Sequence, residues 1–496
     1  MATNPELTPI IPAKKIFPIA YGNEEETGML DDVSGDFQEP YKLVSALRSY
    51  VPPELLTTQP GNTLFLKNGS KIYPGTSVGT SVATNLERAT AECASVDELT
   101  MAVRASEKIL VKTAEAYAAR QSSNKGQAVN VRIQRRVVDS MGSRKGCHDN
   151  YGITRKFSYA MSDNVPPLVL AHLVSRSFIT GAGHVHENGL SFAQKVGGLD
   201  HVDSYGYFGS MCRVSLDEGT PRFEVRCNDI NISDWAVRVR IGGAAIALAL
   251  AQTPLAVALS NTTELTAIRK ANAMNRLRLN PDGSISASPY TQRALDIQKR
   301  IAELTLMDLI RHVDEVPDEL LGVAHDIYAF CEDFQKICDG KETVSLVADR
   351  ADWAAKFNLT VQGMEKDKAL GITRRVNDFR SQATDLLYDY IGVRADSGKL
   401  QHTIYGRGYQ LRDKGVFRNS PKSSRQADQL YMNPPRATRA AVRGYLMRNY
   451  DVTYCNWDLI TVADHEGRTV SVKLPDVTQN ALTEDDVDNL AALESR

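Results

Sequence analysis

The spacing of hydrophobic and polar positions changes character near the middle of this chain. In the first half, apolar and polar residues alternate with a period of two. Gly22 to Gly28 reads as a strand with Glu24 and Glu26 on one face. Ala128 to Val138 alternates in the same way. Gly146 to Tyr151 puts His148 and Asn150 on one face and Asp149 on the other. Arg222 to Arg226 puts Arg222, Glu224 and Arg226 on one face, with Phe223 and Val225 behind. Lys15 to Ala20 predicts an opening strand. Thr63 to Leu66 and Ser70 to Tyr73 predict a hairpin about Asn68-Gly69.

Helical signals punctuate this pattern and then take it over. Ser95 with Glu98 forms a capping box opening a helix to about Arg120. Pro166 to Ile179 has helical apolar spacing and ends at Gly181-Ala182-Gly183. Ile241 to Leu250 reads as a buried helix, with Ser233 or Asp234 as its cap. Beyond Asn261 the predicted helices run near Glu264 to Met274, Tyr290 to His312, Glu319 to Cys338, Ser345 to Phe357 and Thr373 to Tyr390. Gly406 to Gly415 reads as a loop. A helix from Arg436 to about Tyr450 aligns Arg436, Arg439, Arg443 and Met447. A short β-region follows, over Val452 to Tyr454, Trp457 to Val462 and Val470 to Leu474, before an acidic, frayed tail from Asp476.

Composition narrows the class. The 496 residues carry 58 basic and 60 acidic side chains, which argues against general nucleic-acid or membrane-surface binding. The seven cysteines are scattered without a CxxC pair, as expected of reduced thiols in a cytoplasmic protein. Met1 to Lys15 has no apolar core, so no secretory signal is expected. The most apolar run, Ile241 to Leu259, is broken by Gln252 and Pro254, so no membrane span is expected either.

Three features point towards chemistry, and each has a plain structural alternative. Two carboxylates on one strand face, Glu24 and Glu26, repel unless a divalent cation lies between them; otherwise they form a solvated acidic turn. The charged strand Arg222 to Arg226 ends at a helix start, as an anion site would, or is an edge strand with a surface ion pair. The arginine stripe suits phosphates or an acidic partner, or is a solvated face.

Several segments together resemble the Pup ligase / depupylase family, relatives of glutamine synthetase and the other carboxylate–amine ligases. Gly22 to Met29 is similar to that family's GIETEFGV, Lys67 to Tyr73 to RNGARLY, Leu86 to Cys93 to PEYATAEC, Gly146 to Tyr151 to GCHENY, and Asp229 to Ser233 to GDSNMSE. Ala294 to Gln298, Pro434 to Gly444 and Trp457 also match, in the right order along the chain. The resemblance implies an α+β, glutamine-synthetase-like fold: a curved, mostly antiparallel sheet backed by helices. It implies a catalytic domain over residues 1–400 and a small C-terminal domain over 401–496.

The resemblance also implies ATP and Mg²⁺ as cofactors and a small, Pup-like protein modifier ending in Glu or Gln as partner. A glutamate carboxylate on the modifier would be phosphorylated and joined to an amine, a protein lysine being one such acceptor. By match, Glu24, Tyr73 and Glu87 would be metal ligands, with Glu26 and Glu224 in support. Lys71, Thr90 and Trp457 would hold the nucleotide, and His148, Asn150 and Arg222 would line the same site. Arg226 would steady the carboxylate or acyl phosphate. The family's catalytic Asp, two residues after the matched Tyr, falls here on Gly75. Glu92 or another carboxylate would then take the proton of the amine. Two alternatives to a ligase share the same fold: an amidohydrolase, and a nucleotide-binding homologue without catalysis.

Overall fold

The computed structural model describes residues 11–494, except 34, 36–37, 39–40, 77–82, 139–144, 164, 187–188, 196–210, 216–218, 257–258, 260–263, 269–277, 280–281, 287, 374, 376–377 and 419–423. Part of one expectation, the end of the helix from Glu264 to Met274, therefore lies outside the described residues.

One ten-stranded antiparallel sheet organises the molecule. Its strands are β1 (Ala20–Asp31), β2 (Leu64–Phe65), β3 (Lys71–Thr76), β4 (Ala83–Ala89), β5 (Val129–Gln134), β6 (Cys147–Gly152), β7 (Cys212–Ser215), β8 (Arg222–Val225), β9 (Tyr390–Asp396) and β10 (Lys399–Tyr405). The long β1 is the hinge of the topology. Its first half pairs with β6 and its second half with β5, while β4 pairs along its other edge. From β6 the sheet continues to β8 and β7, and from β5 to β9 and β10. The charged strand β8 is thus interior, not an edge.

Helices cover the back of the sheet. α1 (Val96–Lys125) packs across β1, β5, β9 and β10. Its Ser95 hydroxyl accepts from the Glu98 N–H at 3.1 Å, the expected cap, and Gly126 ends it at φ +63°. Beside it lies α2 (Asp234–Leu250), whose cap is Ser233, accepting from Ala236 N–H at 3.3 Å. α3 (Pro289–Glu303), α4 (Asp318–Cys338) and α5 (Asp352–Ala369) complete the scaffold. A large apolar cluster joins these helices around Trp235, Phe330, Phe334 and Trp353. A second unites α1 with β5 and β9. α6 (Ser424–Met432) packs back on α1. A third core is separate: α7 (Ala440–Asn449), the sheet β11 (Asp451–Cys455), β12 (Leu459–Ala463) and β13 (Thr469–Lys473), and α8 (Glu484–Glu494).

Several expectations shift. The first strand starts at Ala20, because Ala13–Lys15 forms a 3-10 turn after Pro12. Thr373 to Tyr390 is not one helix: Phe379–Leu386 is helical and β9 begins at Tyr390. β9 and β10 form a hairpin over Ser397 (φ 47°) and Gly398 (φ 81°), two positive values that match a type I′ turn. The loop expected at Gly406 contains a helix, Arg407–Asp413, and the acidic tail is the helix α8. All seven cysteines are unpaired. No helix among the described residues is long and apolar enough to cross a membrane.

Candidate active site

Antiparallel register sets one face of the sheet. Residues directly opposite each other point the same way. Lys71 lies opposite Ala89, Ala89 opposite Glu24, and Glu24 opposite His148. One pleat along, Tyr73 lies opposite Glu87 and Glu87 opposite Glu26. On the other side, Gly22, Asn150 and Glu224 form a third row. Side chains from five strands thus share one surface, and all the carboxylates assigned to metal by resemblance are on it.

The intervening residues point backwards and hold the strands in place. Asp149 takes both Nε and an Nη of the buried Arg240 at 3.0 Å, and Asn23 donates to it at 3.0 Å. The anion site expected at the start of α2 is filled from within. The buried Asp352 carboxylate accepts from the backbone N–H groups of Ile232 and Ser233. That helix start is therefore structural.

Electrostatically the face is unfinished. His148 Nδ1 is 3.0 Å from Glu224 Oε1 and 3.7 Å from Glu24 Oε2, and the three side chains offer ligand atoms within 4.8 Å of one another. Burial pushes the His148 imidazole down, but its contacts with Glu224 and Glu24 outweigh this and leave it raised. Burial pushes Glu224 up; His148, Arg222 and Arg226 reverse that and bring it to about 2. Arg226 Nε is 3.5 Å from Glu224 Oε1, and an Nη of Arg222 is 3.9 Å from Glu224 Oε2. Glu87 has weaker relief, from His148 and Lys71. Burial, then the charges of Glu26 and Glu24, push its carboxyl up to about 8. Crowded carboxylates with one imidazole suit a hard divalent cation. Glu24, Glu224 and His148 could hold it, with Glu87, Glu26 and Tyr73 one row away.

Gly75 is explained by the same crowding. A Cβ there would lie 2.2 Å from Glu87 Oε1, so the Glu87 carboxylate fills the space of any side chain at 75. Gly146 similarly leaves room for Glu26 and His148, which a Cβ would meet at 2.6 and 2.9 Å.

A cavity of about 800 Å³ opens beside the carboxylates. Glu24, Lys71, Tyr73, Thr90, Asn150, Arg222, Glu92 and Trp457 all line it. Lys71 lies 4.4 Å from the Tyr73 ring centroid; burial lowers its ammonium against the pull of Glu24 and Glu87. Thr90 accepts from Asn23 N–H at 3.0 Å. Among the described residues Asn150 Oδ1 and Arg222 Nε are buried without hydrogen-bond partners, an acceptor and a donor left for a polar ligand. Trp457, between β11 and β12, meets Phe65 edge-on at 4.8 Å. Asn456, Asp458 and Thr220 also line the cavity and were not foreseen; adjacency to Trp457 and Arg222 was the available signal.

Glu92 is placed differently from a proton acceptor. Its carboxylate accepts from Arg439 Nε at 2.8 Å and binds Arg443, which is fully buried. Burial pushes Glu92 up, yet these two guanidinium groups hold it at about 2. Arg443 also donates to Trp457 O at 2.7 Å and lies 5.1 Å from the centre of its ring. The acidic partner of the arginine stripe is therefore Glu92, which ties the sheet to the Trp457 wall. Arg436 is exposed and precedes the helix, which starts at Ala440.

An antiparallel sheet presenting carboxylates beside a polar cleft defines the class of site, and sequence defines the family. The chain belongs to the Pup-ligase family, whose profile, described as Pup-ligase protein, matches residues 22–202 and 215–461. It is 24% identical over 394 residues to the Pup–protein ligase of Bifidobacterium longum strain DJO10A, covering 77% of this chain and 75% of that one. The fold matches the ligase PafA in its complex with prokaryotic ubiquitin-like protein Pup, at TM-score 0.74 and 19% identity over 97% of this chain and 93% of that one. It also matches PafA in complex with ADP, at TM-score 0.66 and 19% identity over 88% and 90%.

Proposed function

We propose that this protein is an ATP- and Mg²⁺-dependent ligase that activates a glutamate side-chain carboxylate on a small, Pup-like protein modifier and joins it to an amine, with a protein lysine as acceptor. The observation that carries this reading is the crowded carboxylate face of Glu24, Glu26 and Glu87, of which Glu24 lines the cavity walled by Trp457. Family membership and the ADP-bound relative of the same fold support it.

ATP supplies the phosphoryl group that turns an inert carboxylate into an acyl phosphate, and Mg²⁺ neutralises the charge gathered there. The chain's own residues divide the remaining work. Trp457, Thr90, Asn150 and Arg222 would hold the nucleotide, with Lys71 lining the same cavity. Glu24, Glu224 and His148 would hold the cation, with Glu26, Glu87 and Tyr73 supporting. Arg226 meets the negative charge that develops on the substrate oxygens. The amine nitrogen then attacks the acyl carbon, phosphate leaves with the bonding electrons, and the nitrogen's proton passes to bulk water. Glu92, tied up by two arginines, is reassigned as a positioning residue for Trp457, and Glu87 is the carboxylate that occupies the space at Gly75. We infer a catalytic body that extends beyond the boundary expected at 400, since β10 (Lys399–Tyr405) belongs to the main sheet and α6 packs on α1, and a small C-terminal unit from about Ala440 whose functional residues are Arg443 and Trp457, with Arg439 just before it.

The test uses the purified protein with ATP, Mg²⁺, a peptide modifier ending in Glu and a lysine-bearing acceptor. ADP formation matched by a new conjugate is the expected result. Ammonia released from a peptide ending in Gln, without ADP, would identify the amidohydrolase instead. Nucleotide binding with neither product would leave a non-catalytic homologue.

A further inference from the structure

Asp458 puts a negative charge on the wall of a cavity that is read above as receiving a nucleotide. The turn between β11 and β12 consists of Asn456, Trp457 and Asp458, and all three line the cavity. Each is fixed through its backbone. Asn456 N–H donates to Leu459 O at 2.8 Å, Arg443 donates to Trp457 O at 2.7 Å, and Leu474 N–H donates to Asp458 O at 2.6 Å. The side chain of Asp458 is treated differently. It is half-buried, and among the described residues its carboxylate makes no hydrogen bond and no ion pair. Arg443, on the same wall, is already bound by Glu92.

The chemistry of a carboxylate limits what can lie against it. It accepts hydrogen bonds and donates none, and it repels phosphate oxygens. The cations that line the cavity and suit phosphates, Lys71 and Arg222, stand on β3 and β8 of the main sheet. The ligand atoms suited to a metal, on Glu24, His148 and Glu224, belong to that sheet as well. Phosphates and cation therefore belong to the sheet side. The turn of the C-terminal unit, with an indole and an acid side by side, suits the uncharged part of a nucleotide. A flat base lies well on an aromatic ring. The sugar joined to that base carries hydroxyl donors, and Asp458 directly follows the indole. Acidic residues meet ribose hydroxyls in this way in dinucleotide-binding folds.

We propose that Asp458 accepts a hydrogen bond from a ribose hydroxyl of the bound nucleotide, and so selects ribonucleotides over their deoxy counterparts. This rests on the nucleotide of the ligase reading and names the part of it that Asp458 meets. A site built to bond a hydroxyl discriminates against the analogue that lacks it, because its acceptor is then left without a donor.

Titration calorimetry with Mg²⁺ compares ADP, 2′-deoxy-ADP and 3′-deoxy-ADP on wild type, D458A and D458E. The wild type is expected to bind ADP about tenfold tighter than one of the two analogues, and that analogue identifies the hydroxyl. D458A should lose this preference by weakening ADP, while its affinity for the same analogue stays within about twofold of wild type. D458E, which keeps the carboxylate, should retain part of the preference. The ratio of the two affinities is the readout, since a merely structural role for Asp458 would move both together. The proposal is overturned if the wild type binds all three alike, if D458A weakens ADP and the analogue equally, or if D458A tightens ADP by removing a repulsion from the phosphates. Should D458A not fold, D458N is read by the same criteria. A wild type that binds none of the three nucleotides would sink the nucleotide reading and Asp458 with it, whereas one that binds ADP without preference sinks Asp458 alone.

Discussion

Glu24 and Glu25 are neighbours on β1, and their side chains enter opposite environments. Glu25 points back into the helices. Burial pushes its carboxyl up, but Arg135 and Arg88 outweigh this and hold it below its ordinary range. Arg135 donates to it at 2.8 and 3.0 Å and Arg88 at 2.8 Å. Arg135 reaches on to Glu107, which Arg412 also clasps at 2.8 and 3.1 Å. Two carboxylates meet three guanidinium groups there, and the charge is internally settled. Glu24 points forward, where Glu26 and Glu87 add like charge and His148 and Lys71 oppose it. The chemistry of the side chain is the same on both faces. What differs is whether the fold supplies the counter-charge, and a face without it is built for something that arrives in solution.

That comparison breaks if the back face proves dispensable. Arg135→Ala leaves Glu25 and Glu107 buried with too little positive charge. It is expected to lower unfolding free energy by about 3–5 kcal/mol, read from the midpoint of urea denaturation. On the front face, Glu24→Gln should leave the metal-free protein as stable as wild type or slightly more so, since it relieves repulsion. It should weaken Mg²⁺-dependent nucleotide binding by roughly 100-fold, about 2.7 kcal/mol, in calorimetry. A Glu24 variant that binds Mg²⁺ and ADP normally would remove the cation assignment.

The two faces were not equally legible in the sequence. Two-residue alternation put Glu24 with Glu26 and His148 with Asn150, and register then only had to bring the strands together. The back-face network was invisible, because Arg135, Glu107 and Arg412 lie far apart in sequence and carry no local signature. The same long range hid the Arg439 and Arg443 partnership with Glu92. The hairpin of β9 and β10 was missed although Ser397-Gly398 is a usable turn signal, since the preceding Phe379–Leu386 helix drew the periodicity into one long element.

A pH series sharpens the contrast. Glu87 moves from 4.5 to about 8 on folding. Its protonated form is favoured in the native state, so its share of stability is full below pH 4.5 and lost as pH rises through 8. Discounted for the open cleft, that loss is on the order of 2 kcal/mol. Glu107 behaves oppositely: with its native carboxyl at about 2, its share is present above pH 4.5 and lost only as pH falls towards 2. Thermal unfolding of the metal-free protein between pH 5 and 8 should therefore show a decline that Glu87→Gln flattens and Mg²⁺ reverses. A flat wild-type profile would mean that the front carboxylates are not crowded in solution.

The smallest expected effect concerns the wall between the two units. Trp457→Ala removes an aromatic surface from the cavity and should weaken ADP binding about tenfold, near 1.4 kcal/mol, with its Mg²⁺ dependence unchanged. Glu92→Gln keeps the shape but loosens Arg443, which both donates to Trp457 O and stacks on its ring. Its nucleotide affinity should fall in the same direction by a few-fold, while single-turnover rates at saturating ATP stay within about threefold of wild type. The two readings of Glu92 divide cleanly on those rates. A proton acceptor would lose turnover and keep nucleotide affinity. A residue that sets the Trp457 wall would do the reverse, and its double variant with Trp457→Ala would lose little beyond Trp457→Ala alone.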